Sequence, residues 1–225
     1  MTMVVTELSI AAPAAAAAGL GGAAAGLVAV RCARRCFGVA AYPLPVVASC
    51  IAVAAIFALR LGHSAYLAPL LALAWAGVLI SAIDLRTHLI PTRLLRACAC
   101  AAVPLVCAAA LADGGIAGLG RASVTAGLGS ALGWATMRIV WRAARGGLGY
   151  GDVRLGAYLG LHLGLGGLAA VWTGLLAGFA IAAAVGGIGV VALGHSPDHR
   201  FALGPSLVAG ALATAWWTVP SGLAA

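Results

Sequence analysis

Only five of the 225 residues are acidic: Glu7, Asp84, Asp113, Asp152 and Asp198. Two of them stand where an apolar run meets polar sequence. Asp84 closes the run LALAWAGVLISAID, and Asp152 opens the run that follows GLGYG. A carboxyl at the centre of a membrane helix costs about 2.5–3.5 kcal/mol, less toward the ends, so each of these two needs a reason. Two aspartates placed face to face would supply it. Both cannot ionise cheaply, so they share one proton. One is then a base able to activate water, and the other an acid able to donate to a carbonyl oxygen. Such a pair can hydrolyse an amide with neither a metal nor a nucleophilic side chain. Glu7, Asp113 and Asp198 fall in terminal or loop sequence and read as solvated.

Competing chemistry is sparse. The chain has no H-E-x-x-H for zinc and no G-x-S-x-G elbow. Ser81 and His88 form the one conceivable nucleophile–base pair, while His63 is placed externally and His162 in the outer half of its run. Gly149 and Gly151 put a G-x-G in front of Asp152. With 32 glycines in the chain, this arises before a given Asp by chance about once in 50, so its position carries the weight. Glycines beside an acid let backbone approach a substrate closely. Simpler roles exist for both acids: Asp152 as a helix N-cap, and Asp84 as a boundary charge paired with Arg86.

The elements that must position these acids are membrane helices. Hydrophobic residues make up 64% of the chain and charged residues 8%, against about 25% charged in a soluble domain, so no water-facing surface could be covered. Disorder fails on the same grounds. The expected fold is an all-α polytopic membrane bundle. A spanning helix needs about 20 mostly apolar residues, and eight such runs are present: 9–30, 43–61, 65–83, 94–112, 122–141, 153–168, 170–193 and 203–220. The first is mostly Ala and Gly, and the sixth and seventh are divided only by Gly164, Gly166 and Gly167. Small residues recur four apart at Gly22/Gly26, Gly129/Gly133, Gly156/Gly160/Gly164 and Gly174/Gly178, which predicts closely packed helices.

Charge sets the orientation. All 13 basic residues are Arg and the net charge is +8. They punctuate the apolar runs rather than forming an exposed basic face, so a nucleic-acid partner is not expected. Met1 to Ser9 lacks Arg, whereas Arg31, Arg34 and Arg35 follow the first run, the reverse of a cleavable signal peptide. The N-terminus is therefore placed outside, with cytoplasmic segments 31–42, 84–93, 142–152 and 194–202. These and their flanks hold eleven arginines, leaving Arg60 and Arg121 as exceptions. Asp84 and Asp152 then lie at one depth, the cytoplasmic membrane boundary. Of the six cysteines, four sit inside apolar runs, and Cys32 with Cys36 makes a lone C-x-x-x-C. Tetrahedral zinc needs four ligands, so neither metal nor cofactor is expected.

Three stretches, in order, resemble the type IV prepilin peptidases, membrane aspartyl proteases of the G-x-G-D class. DLRTHLIPTRL (Asp84 to Leu94) is similar to the first-aspartate segment. GLGYGDVRLGAYLGLHLG (Gly147 to Gly164) is similar to the second, and RFALGPSLVAGAL (Arg200 to Leu212) to the late F-x-x-G-P stretch. The resemblance covers about 65–220. It implies a single membrane peptidase domain over 1–225, in which 1–64 adds two N-terminal helices. Asp84 and Asp152 would be the catalytic pair, with Pro91, Gly149, Gly151 and Arg154 supporting them. The substrate would be a prepilin or pseudopilin precursor with a short basic leader and an apolar helix. It would be cut on the cytoplasmic side of the inner or plasma membrane, just before that helix and commonly after a glycine.

Two departures are small: Arg154 stands where the family usually has Lys, a different kind of cation, and Thr92 where Asn often follows the Pro. A third is large. Longer members carry, between the first two helices, a cytoplasmic domain with paired C-x-x-C zinc ligands and N-methyltransferase activity. Here only RCARRCFGVAAY is available, so the expectation is peptidase activity without methylation and without zinc. This short architecture resembles members that serve Tad/Flp-type pilus or pseudopilus systems. Two other classes stay open: a small transporter or channel using the same acids as a proton or cation site, and a non-catalytic membrane component of a pilus or secretion apparatus.

Overall fold

A computed structural model describes residues 2–40, 42–62, 64–145, 147–193 and 202–219. Regular structure among these residues is entirely helical: α1 (Thr2–Phe37), α2 (Pro43–Leu61), α3 (Leu67–Thr87), α4 (Thr92–Ala143), α5 (Tyr150–Leu163), a 3-10 turn (Gly164–Gly166), α6 (Leu168–Leu193) and α7 (Gly204–Thr218).

Helices outrun the apolar runs where nothing stops them. α1 continues through Arg31, Arg34 and Arg35 because arginine is a good helix former. It ends at Gly38, whose left-handed φ of 65° sets up a paired C-terminal bond: Val39 N–H donates to the Ala33 carbonyl at 2.9 Å and Gly38 N–H to the Arg34 carbonyl at 3.2 Å. The 52 residues of α4 would run about 78 Å if straight, over twice the hydrocarbon core of about 30 Å. Gly114 (φ −139°, ψ 19°) and Gly115 (φ 58°, ψ −150°) break it. A methyl at Gly118 would stand 2.6 Å from the Ala110 carbonyl oxygen, so the chain doubles back at once. α4 is thus a hairpin with arms 92–113 and 116–143, one for each of the runs expected at 94–112 and 122–141.

Among the described residues, five elements are long and apolar enough to cross a membrane: Ala15–Phe37 of α1, α2, α3, α4 and Leu168–Gly189 of α6. The chain is a multi-pass membrane protein. The eight transmembrane helices expected from hydropathy are not what this criterion returns. α4 counts once for two arms, and α5 and α7, at 14 and 15 residues, fall short of the roughly 20 a span needs.

Lipid offers no hydrophobic drive for helices to associate, so packing must come from close van der Waals fit. The spaced glycines provide it. α1 lies on α2 so tightly that a methyl at Gly26 would stand 2.7 Å from the Val47 Cα. A methyl at Gly160 of α5 would fall on the Gly129 carbonyl of α4, and one at Gly178 of α6 would lie 2.8 Å from the Leu207 Cα of α7. α3 sits among α1, α2, α4, α5 and α7. Its Leu70, Leu73, Ile80 and Ile83 are buried with Leu155, Leu159 and Leu207 of α5 and α7. The C-terminal end of α3 therefore meets the N-terminal ends of α5 and α7.

Candidate active site

Asp84 lies in the last turn of α3. The helix stops at His88, which takes the left-handed conformation (φ 51°, ψ 30°) and donates its N–H to the Asp84 carbonyl at 2.8 Å. The chain then reverses through Ile90 to Pro91, the N-cap of α4 (φ −68°, ψ 123°). The Asp84 side chain is 4% exposed. Its Oδ2 accepts a 2.9 Å hydrogen bond from the backbone N–H of Gly204. Gly204 is the first residue of α7, where amides have no partner within the helix and the helix dipole favours negative charge. Only a glycine permits this approach, because a methyl there would stand 2.7 Å from Oδ2.

Asp152 is the third residue of α5, whose N-cap is Gly149 (φ −73°, ψ 145°). The N-cap role considered for Asp152 therefore belongs to Gly149. The Asp152 carboxyl turns back over the first turn toward Gly149, where a methyl would lie 3.3 Å from its Oδ2. It is 9% exposed. Gly151 packs the G-x-G-D turn against the loop after α3, since a methyl there would lie 2.9 Å from the Ile90 Cβ. Asp84 and Asp152 are close enough for the charge of one to act on the other, and His88 is near enough to act on Asp84.

The supporting positions fall around this pair. Arg154 donates from Nη1 to the Thr92 Oγ1 at 2.5 Å, tying α5 to the first residue of α4. Its guanidinium also lies 4.8 Å from the centre of the Tyr150 ring, and Arg138 approaches the same ring at 5.5 Å. The Arg86 guanidinium stacks on Tyr42, 4.1 Å from the ring centre, so the partner found for Asp84 is the Gly204 amide and not the Arg86 ion pair considered from sequence. Ser81 lines an apolar cavity of about 350 Å³ between α2, α3 and α7, two helical turns before His88. His63, Gly146, Asp198, Arg200 and Phe201 lie outside the described residues.

Sequence reasoning singled out Asp84, Pro91, Gly149, Gly151, Asp152 and Arg154, and all six lie around this junction. It missed two. Gly204 sits in the late G-P stretch, but nothing in the sequence says that its amide reaches Asp84. Thr92 entered only as a departure and proves to be the partner of Arg154. Among the described residues no group of three or more His, Cys, Asp or Glu is gathered in the manner of a metal site. Two buried carboxyls near enough for one charge to bear on the other do not both ionise cheaply, so one can serve as acid while the other serves as base.

A sequence model described as the type IV leader peptidase family matches residues 71–191, and both aspartates lie within that span. No curated protein and no solved structure matches the chain.

Proposed function

The chain belongs to the type IV leader peptidase family, which indicates a membrane protease of aspartic type. On that premise we propose that Asp84 and Asp152 are the catalytic pair of an endopeptidase that removes the leader of type IV prepilin-like precursors. The observation that carries this reading is that two buried carboxyls, one from α3 and one from α5, lie near enough for the charge of Asp84 to bear on Asp152. The ionised member takes a proton from water as the water attacks the scissile carbonyl carbon. The protonated member gives its proton to the carbonyl oxygen. When the tetrahedral intermediate collapses, the C–N bond breaks and the leaving nitrogen takes up a proton. The two groups titrate as a pair, and neither alone owns the acid or the base role.

A helical substrate bond is already internally hydrogen-bonded, so the cleaved segment must be extended or outside lipid. The non-helical chain at 88–91 and 147–149 suits such a segment. The arginine bias supports eight crossings, with the N-terminus outside and the two aspartate loops on the cytoplasmic side of the inner or plasma membrane. In this reading α4 crosses twice, and α5 with its 3-10 turn extends about 27 Å. Only residues 38–42 separate α1 from α2, which supports peptidase activity without N-methyl transfer. The whole of 1–225 would then be one peptidase domain.

Membranes containing the chain, mixed with a precursor bearing a basic leader before an apolar helix, should yield one product cut just ahead of that helix. A precursor left intact would overturn the reading. Cysteines placed at 84 and 152 should react with water-soluble reagent from the cytoplasmic side; labelling from the opposite side alone would contradict the topology.

A further inference from the structure

Next to the aspartate junction, a cavity of about 490 Å³ lies between both arms of α4 and α5. It has two unlike ends. Arg96, from the first arm, and Arg154, from α5, supply guanidinium groups, and among the described residues no carboxylate lines the cavity. Farther along, its walls are Ala99, Ala157 and Leu161, with Trp134 of the second arm. From Arg154 to Leu161 the α5 wall runs about 10 Å. Trp134 is 44% exposed, so the apolar half opens on the outer surface of the bundle, where lipid lies. Tyr158 also lines the cavity, and among the described residues its buried hydroxyl has no hydrogen-bond partner.

We propose that this cavity binds one anionic phospholipid, with its phosphate on Arg96 and Arg154 and an acyl chain along Ala99, Ala157 and Leu161 against Trp134. Charge complementarity selects the headgroup: guanidinium forks match phosphate oxygens, and basic pockets between membrane helices favour anionic lipids. Arg154 is already held in place by its bond to Thr92, so little freedom is lost when the phosphate arrives. The apolar half selects a lipid over a soluble anion, because inorganic phosphate would leave that wall uncovered. The occupied groove lies on the helix that carries Asp152, its polar end two residues from that acid and its apolar end nine residues away.

Native mass spectrometry of the full chain, purified in neutral detergent with phosphatidylglycerol and phosphatidylcholine supplied together, tests this. One phosphatidylglycerol should be retained in preference to phosphatidylcholine. Arg96→Gln, on an exposed side chain, should cut that preference about fivefold without moving the thermal melt of the lipid-free protein. Ala99→Phe, which fills the apolar half, should lower phosphatidylglycerol retention as well, and excess inorganic phosphate should leave the lipid bound. Equal retention of the two lipids, or retention unchanged in both variants, would overturn the proposal. So would displacement by inorganic phosphate, which would make this a site for a soluble anion.

Discussion

Gly204→Ala adds one methyl group beside Asp84 and alters no charge. The backbone at Gly204 is not left-handed, so alanine is conformationally acceptable there, and elsewhere in a helix the exchange stabilises by about 0.5–1 kcal/mol. The three atoms nearest to such a methyl all belong to Asp84. The methyl would stand 2.7 Å from its Oδ2, 3.2 Å from its Cγ and 3.4 Å from its Cβ, inside the roughly 3.5–4.0 Å at which non-bonded carbons rest. The carboxyl must swing away, and the 2.9 Å bond from the Gly204 amide is lost with it. A hydrogen bond to a charged group is worth about 1.5–3 kcal/mol, and each 1.36 kcal/mol is tenfold in rate. Leader cleavage should therefore slow about 10- to 150-fold. The assay is the initial rate of precursor cleavage by purified protein, with a thermal melt beside it. Gly127→Ala is the matched control, since a methyl at Gly127 meets nothing within 4 Å, and its rate should equal that of the unmodified protein. If Gly204→Ala cleaves at full rate with an unchanged melt, Asp84 does not depend on the end of α7, and the reasoning from this contact is refuted.

Two further outcomes follow from the same geometry. Thr92→Val removes the acceptor of the Arg154 bond and should lower stability by about 1 kcal/mol, read as a reduced melting temperature in detergent. The pH–rate profile should fall on both sides: at low pH both carboxyls are protonated and no base remains, and at high pH both are ionised and no acid remains. A rate that only rises, or only falls, across the range would show that one group and not a pair controls the chemistry.

Much of this architecture was legible because lipid tolerates few residue types. Each apolar run coincides with a helical segment, and the small-residue spacings at Gly129/Gly133 and Gly156/Gly160 mark the α4–α5 contact. The boundaries were less legible. Apolarity reports what lipid accepts, whereas a helix ends where its backbone is terminated, so α1 runs on to Gly38 and the second arm of α4 begins six residues before the run expected at 122. The hairpin at Gly114–Gly115 is hard to see in a chain with 32 glycines, since most of them serve packing and only a few turn the chain. The two aspartates stood out because so few acids exist. The Gly204 amide did not, because a backbone donor has no sequence signature and becomes visible only when α7 is docked on α3.

Whether Asp84 and Asp152 act as one catalytic unit is tested most directly by replacing each with asparagine in turn. Rates of leader removal from the same precursor would be measured for the unmodified chain, Asp84→Asn and Asp152→Asn, with equal amounts of each protein verified in the membrane. Either substitution alone should abolish cleavage if the two acids work as a pair. Undiminished cleavage by either variant would contradict that pairing.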